Sequence, residues 1–302
     1  MKRPPDTTKA FGPIVDRYRV TDGKKFRLKD YDPGDTASLS VHGKTAKTNA
    51  KDLLEQGVAR LADLQDRLYA QDRWGVLVIF QALDAAGKDS TIKHVMSGVN
   101  PQGVQVYSFK VPSPQELDHD FLWRGMIRLP ERGCIGIFNR SYYEEVLVVR
   151  VHPAILENER IPPALVDKGI WTQRYEDINA FERYLARNGF PVLKFFLNVS
   201  KKEQKKRFLE RLDEPEKNWK FSLGDVHERE YWDEYRKAYE EAIAATSTPW
   251  APWFVVPADH KWFTRLVVAG AIVAELEKLD LRYPKLDKAK RKELDAARSQ
   301  LE

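Results

Sequence analysis

The chain has 302 residues, which is enough for one large α/β domain or two small ones. Its composition, 42% hydrophobic and 31% charged, is ordinary for a soluble globular protein, and no apolar run approaches the roughly 20 residues of a membrane span. The N-terminus lacks the apolar region of a signal peptide, and the single cysteine, Cys134, excludes an intramolecular disulfide and a cysteine cluster for zinc. We therefore expect a cytoplasmic protein. The net charge of +5 favours a polyanionic ligand without choosing among nucleic acid, nucleotide and polyphosphate.

Short apolar runs alternate with helical patterns along the chain. A polar, turn-rich segment, 1–48, comes first, and we expect it to pack on the core. The predicted strands are 76–80, 104–109, 133–138, 192–199 and 253–257. The predicted helices are 49–71, one that starts at about 90, and 114–129, 162–188, 201–211, 228–245 and 262–279. Ser113 is the predicted N-cap of the helix over 114–129.

This alternation predicts an α/β fold with one doubly wound, mainly parallel sheet of five strands flanked by helices. We assign residues 49–284 to a single domain and 285–302 to a highly charged tail, either helical or frayed. In such folds ligands bind at the carboxyl ends of the strands. Three loops fall at such ends, namely those after 76–80, 104–109 and 133–138.

The loop between the first strand and its helix carries Gly87 and Lys88. Small residues there let backbone N–H groups approach phosphate oxygens, while the helix N-terminus and the lysine add positive charge. This layout predicts a phosphate-binding P-loop. The alternative is an ordinary strand-to-helix turn with a surface lysine.

The loop departs from the usual pattern G-x-x-x-x-G-K-[ST] at two positions. Ala82 stands where the first glycine is expected, and Asp89 follows the lysine, with hydroxyls only at Ser90 and Thr91. Asp84, inside the loop, would repel a phosphate unless a cation lies between them. It is therefore a candidate for Mg²⁺ coordination or for handling the acceptor phosphate.

Asn139 and Arg140 follow the third strand, where many P-loop enzymes place a metal-binding acid. Asn139 could hold water or metal only as a neutral ligand, and Arg140 could neutralise charge on a phosphoryl group in transfer. Glu144 and Glu145 could supply the missing carboxylate. The alternative is a surface cluster of salt bridges.

A strongly basic helix begins after Ser200 and continues into a charged segment. Arg207 and Arg211 are four residues apart and so share one face of this helix. We predict a helical lid over about 201–225 that closes on phosphates and excludes water. A solvated charged face is the alternative.

Several blocks of sequence are more specific than the P-loop alone. They are Q-A-L-D-A-A-G-K-D-S-T-I at 81–92, F-K-V-P-S at 109–113, F-N-R-S-Y-Y-E-E-V at 138–146, R-F-L-E-R-L-D-E-P-E-K-N-W-K at 207–220 and A-P-W-F-V-V-P-A-D at 251–259. With them the chain resembles the polyphosphate kinase 2 family from about residue 31 to 283. The resemblance implies a P-loop kinase fold similar to thymidylate kinase. It also implies reversible, Mg²⁺-dependent phosphoryl transfer between inorganic polyphosphate and nucleotides, with Mn²⁺ as the alternative ion.

The resemblance assigns roles to residues of these blocks. Catalytic roles fall on Asp84, Lys88, Asn139 and Arg140. Polyphosphate binding falls on Ala85, Ala86, Gly87, Lys88, Asp89, Ser90, Arg207 and Arg211. Nucleotide binding falls on Asp84, Asn139, Arg140, Glu144 and Glu145, and metal binding on Asp84 and Glu145. Independently of the family, Phe109 is predicted to contact the nucleotide base, with a core position as the alternative.

Asn139, with Glu144 and Glu145 following, resembles the class III subgroup, which accepts both AMP and ADP. The expected partners are polyphosphate, AMP, ADP and ATP in a homodimer or homotetramer, with no nucleic acid or membrane partner. Two other functions remain open: a nucleoside or nucleotide kinase that uses ATP as donor, and a polyphosphate- or nucleic-acid-binding protein without turnover. Carboxylates crowded near a phosphate site argue against the second of these, because a pure anion binder gains nothing from them.

Overall fold

A six-stranded sheet runs through the part of the chain that the computed structural model describes, residues 8–39 and 44–302, with side chains from 11–39 and 51–302. Its strands are β1 (Arg19–Val20), β2 (Val76–Gln81), β3 (Val104–Ser108), β4 (Ile135–Asn139), β5 (Val192–Asn198) and β6 (Trp253–Pro257). Their order across the sheet is β1-β6-β5-β2-β4-β3. Strands β2 to β6 are parallel and match the five predicted ones, while β1 adds an antiparallel edge.

Strand β2 lies at the centre of the sheet, where all six of its residues are buried. Its Leu77 pairs with Gly136 of β4 on one side and with Val192 of β5 on the other. A strand covered on both faces must be apolar at consecutive positions, which explains the run V-L-V-I-F.

Helices cover both faces of the sheet. The first six are α1 (Thr8–Asp16), α2 (Lys44–Gln71), α3 (Lys88–Val95), α4 (Pro114–Leu117), α5 (Trp123–Met126) and α6 (Glu144–Val151). The others are α7 (Ile170–Arg187), α8 (Lys201–Asp213), α9 (Leu223–Glu228), α10 (Trp232–Thr246), α11 (Lys261–Glu277) and α12 (Lys288–Leu301).

Two hydrophobic clusters separate these helices into layers. Helix α11 packs against α1, α2 and α3 over one face, where Leu61, Leu68 and Leu266 are fully buried. Helix α10 packs against α6 and α7 over the other face, where Val146 and Ile178 are fully buried. The loops that follow β2 and β4 emerge at one edge, between these layers.

Two predicted helices are shorter than expected. The helix predicted over 114–129 is divided into α4 and α5 by a turn, in which the Asp120 carboxylate accepts the backbone N–H of Leu122. Its predicted N-cap is confirmed, since Ser113 and Glu116 form a capping box. The helix predicted from 162 begins only at Ile170, after a proline-led turn over Pro163–Leu165.

The two ends of the chain differ in their contacts. In the N-terminal segment, Phe11 and Val15 of α1 are buried in the same cluster as α11. Residues 1–7, which carry the expectation about a signal peptide, lie outside the described residues, as do 40–43. At the other end α12 is exposed along its whole length. None of the described helices is both long and apolar enough to cross a membrane.

Candidate active site

The P-loop lies between the end of β2 and the start of α3 and has the backbone geometry that its small residues allow. Gly87 has φ +105°, in the left-handed region that favours glycine, and Ala85 has φ +59°. The Gly87 carbonyl accepts the backbone N–H of Thr91 at 3.0 Å and the Ser90 hydroxyl at 3.0 Å. The loop therefore turns sharply into α3, and the N-terminus of α3 lines an open cleft above the loop.

Lys88 is folded back over this loop. Its Nζ donates to the Ala82 carbonyl at 2.8 Å. Burial lowers the pKa of Lys88, and the nearby charge of Arg140 lowers it further, while Asp84 and Glu144 oppose both effects. An anion bound beside Lys88 would favour its charged form.

Arg140 follows β4 and connects two carboxylates. Its backbone N–H donates to the Phe80 carbonyl at 3.0 Å, and its φ of +64° turns the chain away from the sheet. Its guanidinium lies 2.9 Å from Asp84 Oδ1 and 3.5 Å from Glu144 Oε2. Three predicted site residues from two segments, Asp84 from the P-loop and Arg140 and Glu144 from the segment after β4, thus meet at one point.

Asn139 links the end of β4 to the start of α3. Its Nδ2 donates to Asp89 Oδ1 at 2.7 Å. Asp89, which departs from the usual P-loop pattern, is therefore hydrogen-bonded to Asn139, which stands where many P-loop enzymes place an acid. The sequence marks both residues as unusual, but their pairing depends on the fold.

A cleft of about 610 Å³ opens above the P-loop; we call it the phosphate cleft. Its wall includes the two arginines of the predicted lid, Arg207 and Arg211, and the carboxylates of Asp84 and Asp89. Phe109 and Asn139 also line it. Its other cations are Lys88, Lys110, Arg140, Lys217, Lys220 and Lys261. Cations outnumber carboxylates along its wall, so the cleft suits a polyanion.

A second cleft of about 250 Å³ meets the first at Asp84 and Arg140. We call it the aromatic cleft, because Trp232, Tyr235 and Tyr239 of α10 line it. Glu144 and Asp225 are among its acidic residues. A nucleobase stacks on or packs against such rings, so this cleft can accept the base end of a nucleotide.

The two arginines of the predicted lid have different surroundings. Arg207 is 5% exposed and donates to the carbonyls of Ala86 at 2.7 Å and Ala258 at 2.6 Å. It therefore ties α8 to the P-loop and to the end of β6. Arg211 lies 3.3 Å from Asp225 Oδ2 of α9, where both side chains are partly exposed.

Glu145 is a predicted site residue that lies away from both clefts. It is 6% exposed, with Oε2 3.4 Å from the Arg174 guanidinium, and it lines neither cleft. Consecutive helix residues point about 100° apart, so Glu144 faces Arg140 while Glu145 faces the interior. This placement argues against the prediction that Glu145 binds metal or nucleotide beside Asp84.

Phe109 is 8% exposed and packs edge-on against Phe138, with ring centroids 4.8 Å apart. It lies at the wall of the phosphate cleft rather than in the aromatic cleft. This favours the core position that was the alternative to base contact.

A buried network, absent from the sequence analysis, supports the loop that carries Arg140. The Tyr142 and Tyr143 hydroxyls each donate to Glu182 Oε1 at 2.9 Å, and Glu182 forms an ion pair with Lys194. Glu182 and Lys194 are both fully buried. The only sequence signal was a lysine inside the apolar strand 192–199.

The carboxylates at the clefts bear on metal binding. Among the described residues, no three or more His, Cys, Asp or Glu side chains are grouped as a metal site. Asp84, 29% exposed, is the carboxylate that lines both clefts, at their junction. Such a donor set fits Mg²⁺, which binds one or two carboxylates together with substrate phosphates and water.

A parallel sheet whose central strand enters a glycine–lysine loop below a basic cleft defines a P-loop protein that binds phosphates. The sequence model of the polyphosphate kinase 2 family matches residues 44–284. The chain belongs to this family.

Three relatives place the chain more closely. It is 55% identical over 257 residues to the ADP-polyphosphate phosphotransferase of Rhodopseudomonas palustris, covering 85% of this chain and 89% of that one. It is 47% identical over 276 residues to the AMP/ADP-polyphosphate phosphotransferase of Meiothermus ruber, covering 91% and 98%. The crystal structure of polyphosphate kinase 2 from Arthrobacter aurescens superposes with a TM-score of 0.82 at 41% identity, covering 93% and 96%.

Proposed function

We propose that this protein transfers the terminal phosphoryl group of inorganic polyphosphate to AMP and ADP, giving ADP and ATP. The observation that carries the proposal is the meeting of the phosphate cleft and the aromatic cleft at Asp84 and Arg140. One cleft suits a polyanionic donor and the other a nucleotide. The names of the Rhodopseudomonas and Meiothermus relatives support the same donor and acceptors.

The reaction needs no covalent intermediate. The donor chain binds along the basic wall, with its end held by Lys88 and by backbone N–H groups of the P-loop. Arg140 neutralises charge on the phosphoryl group as it passes between the clefts, and Lys88 does so from the P-loop side. Catalysis then comes from positioning the nucleotide phosphate in line with the donor end.

Asp84 is the residue that would hold Mg²⁺, together with phosphate oxygens of the two substrates. The ion would supply charge neutralisation between donor and acceptor. In this protein Arg140 already pairs with Asp84, so the guanidinium balances the carboxylate before substrate binds.

We also propose a cytoplasmic homodimer or homotetramer, as the family resemblance implies. The buried thiol of Cys134 is compatible with a reducing compartment. Sedimentation of the purified protein would give the oligomeric state directly.

The test is an assay with AMP or ADP, Mg²⁺ and long-chain polyphosphate, in which ADP and ATP are followed by chromatography. We expect ADP and then ATP to accumulate from AMP. Asp84→Asn and Lys88→Ala should each lower kcat by at least about 100-fold. Lys93→Ala, which changes an exposed lysine of the same helix that lines neither cleft, should leave kcat unchanged.

Other outcomes separate the alternatives. ADP without ATP would refute the use of both acceptors. Activity with ATP as donor, and none with polyphosphate, would establish a nucleoside or nucleotide kinase. Normal turnover by Asp84→Asn or Lys88→Ala would refute this assignment of the site.

A further inference from the structure

Behind the P-loop helix lies a pocket of about 1060 Å³ that the proposed reaction does not use. We call it the rear pocket, and α2, α3, α8 and α11 enclose it through Leu54, Val58, His94, Lys206, Lys261 and Arg265. It shares Lys261 and Glu210 with the phosphate cleft. The two spaces are therefore neighbours around the N-terminus of α11.

The rear pocket contains carboxylates, but each already has a partner. These pairs are Glu55 with Lys51, Glu203 with Arg207, Glu210 with Lys206, and Asp259 with the backbone N–H of Ser200. Three of these four carboxylates are thus balanced by a cation, and Asp259 is held by a neutral donor. Any cation left over is available to a bound anion.

Arg265 is such a cation. Its Nε is buried without a hydrogen-bond partner among the described residues, and burial lowers its pKa. The neighbouring His94 has its pKa lowered by burial and then by the charge of Arg265. His94 and Arg265 both line the rear pocket, and an anion bound there would offset the charge of Arg265.

The apolar part of the wall strengthens this effect. Leu54, Val58 and Trp262 line the pocket beside Arg265. Walls of low dielectric constant concentrate the field of nearby charges, so a cation there attracts an anion more strongly than one on an open surface.

We propose that the rear pocket binds internal phosphates of the donor chain, which passes from the phosphate cleft around Lys261 to Arg265. This rests on polyphosphate being the donor. A cleft of about 610 Å³ holds only the reacting end of a long polymer, and the rest must leave it. Lys261 stands at the shared edge, so a chain passing it remains in contact with cations.

The test compares the longest and the shortest polyphosphate that the wild-type protein accepts, each as donor to ADP. Arg265→Gln should raise KM for the long chain about tenfold, as expected for the loss of one charge-assisted hydrogen bond, and leave kcat and the short-chain KM within about twofold. Arg265→Lys should restore most of the loss. Arg282→Gln changes an exposed arginine paired with Asp280 and should have no effect.

Ser97→Glu is an independent variant, because Ser97 is an exposed residue at the rim of the rear pocket. Its added negative charge should raise the long-chain KM, while Ser97→Gln, of similar size, should not. Equal changes for both chain lengths, or no change in Arg265→Gln and Ser97→Glu, would overturn the rear-pocket path. Failure of the wild-type protein to use any polyphosphate would instead overturn the proposed function.

Discussion

The buried carboxyl of Glu145 makes the stability of this protein depend on pH. The pKa of Glu145 is raised from 4.5 to about 8, chiefly by burial. The charge of Glu159 also raises this pKa, and the charge of Arg174 lowers it. Between these two values the folded protein holds a proton that the unfolded chain has released. The free energy of unfolding therefore falls as pH rises through this window, and the contribution of Glu145 is fully present only below about 4.5.

The size of the effect follows from the pKa difference. Each pKa unit is worth about 1.4 kcal/mol. The rise in the pKa of Glu145 from 4.5 to about 8 therefore corresponds to a loss of at most about 5 kcal/mol in the free energy of unfolding above pH 8. Glu145→Gln mimics the protonated acid, because its amide can still donate to Glu159. The variant should match wild type near pH 5 and be several kcal/mol more stable near pH 9.

Urea denaturation at the two pH values, followed by circular dichroism, measures this difference. Glu157→Gln is the matched control, since Glu157 is exposed in the same region and should behave like wild type at both pH values. If Glu145→Gln lost the same stability at both pH values, Glu145 would be charged in the folded protein, as a true ion-pair partner of Arg174. The interpretation of a protonated buried acid would then be refuted.

Two further predictions concern groups that hold the site in place. Lys194→Met should lower the free energy of unfolding by about 3–5 kcal/mol, measured by urea denaturation, because Glu182 is left buried without its cation; a loss below 1 kcal/mol would contradict this. Arg207→Lys should lower kcat/KM by about tenfold or more in the polyphosphate assay, because an ammonium cannot bond the carbonyls of Ala86 and Ala258 together. An unchanged kcat/KM would show that the P-loop does not need this tie.

The central parallel strands could be predicted from the sequence because each is an apolar run buried on both faces. Strand β6, for example, has the predicted bounds, 253–257. The edge strand β1 could not, since its two residues are defined only by their pairing with Phe254 and Trp253, more than 200 positions away. The break between α4 and α5 was missed because it is a short local turn, in which the Asp120 carboxylate accepts the backbone N–H of Leu122.

The P-loop could also be predicted, because its chemistry lies within one short segment. The position of Glu145 away from the clefts could not be predicted, because which of two adjacent carboxylates faces the site depends on how α6 is rotated against its neighbours. Arg174 of α7 fixes that rotation by bonding the Glu145 carbonyl at 2.8 Å. The support given to the Arg140 loop by Lys194 was missed for a similar reason, since it joins three distant segments.

The hydrogen bond between Asn139 and Asp89 connects two unusual residues, one after the P-loop lysine and one where many P-loop enzymes place an acid. A carboxylate commonly stands after the third predicted strand, and a hydroxyl commonly follows the P-loop lysine. Here the carboxylate is at 89 and the neutral amide at 139, joined at 2.7 Å. Two carboxylates at that distance would repel each other unless they shared a proton. Each substitution is therefore compatible with the fold because the other is present, and the negative charge near the phosphate cleft is relocated rather than lost.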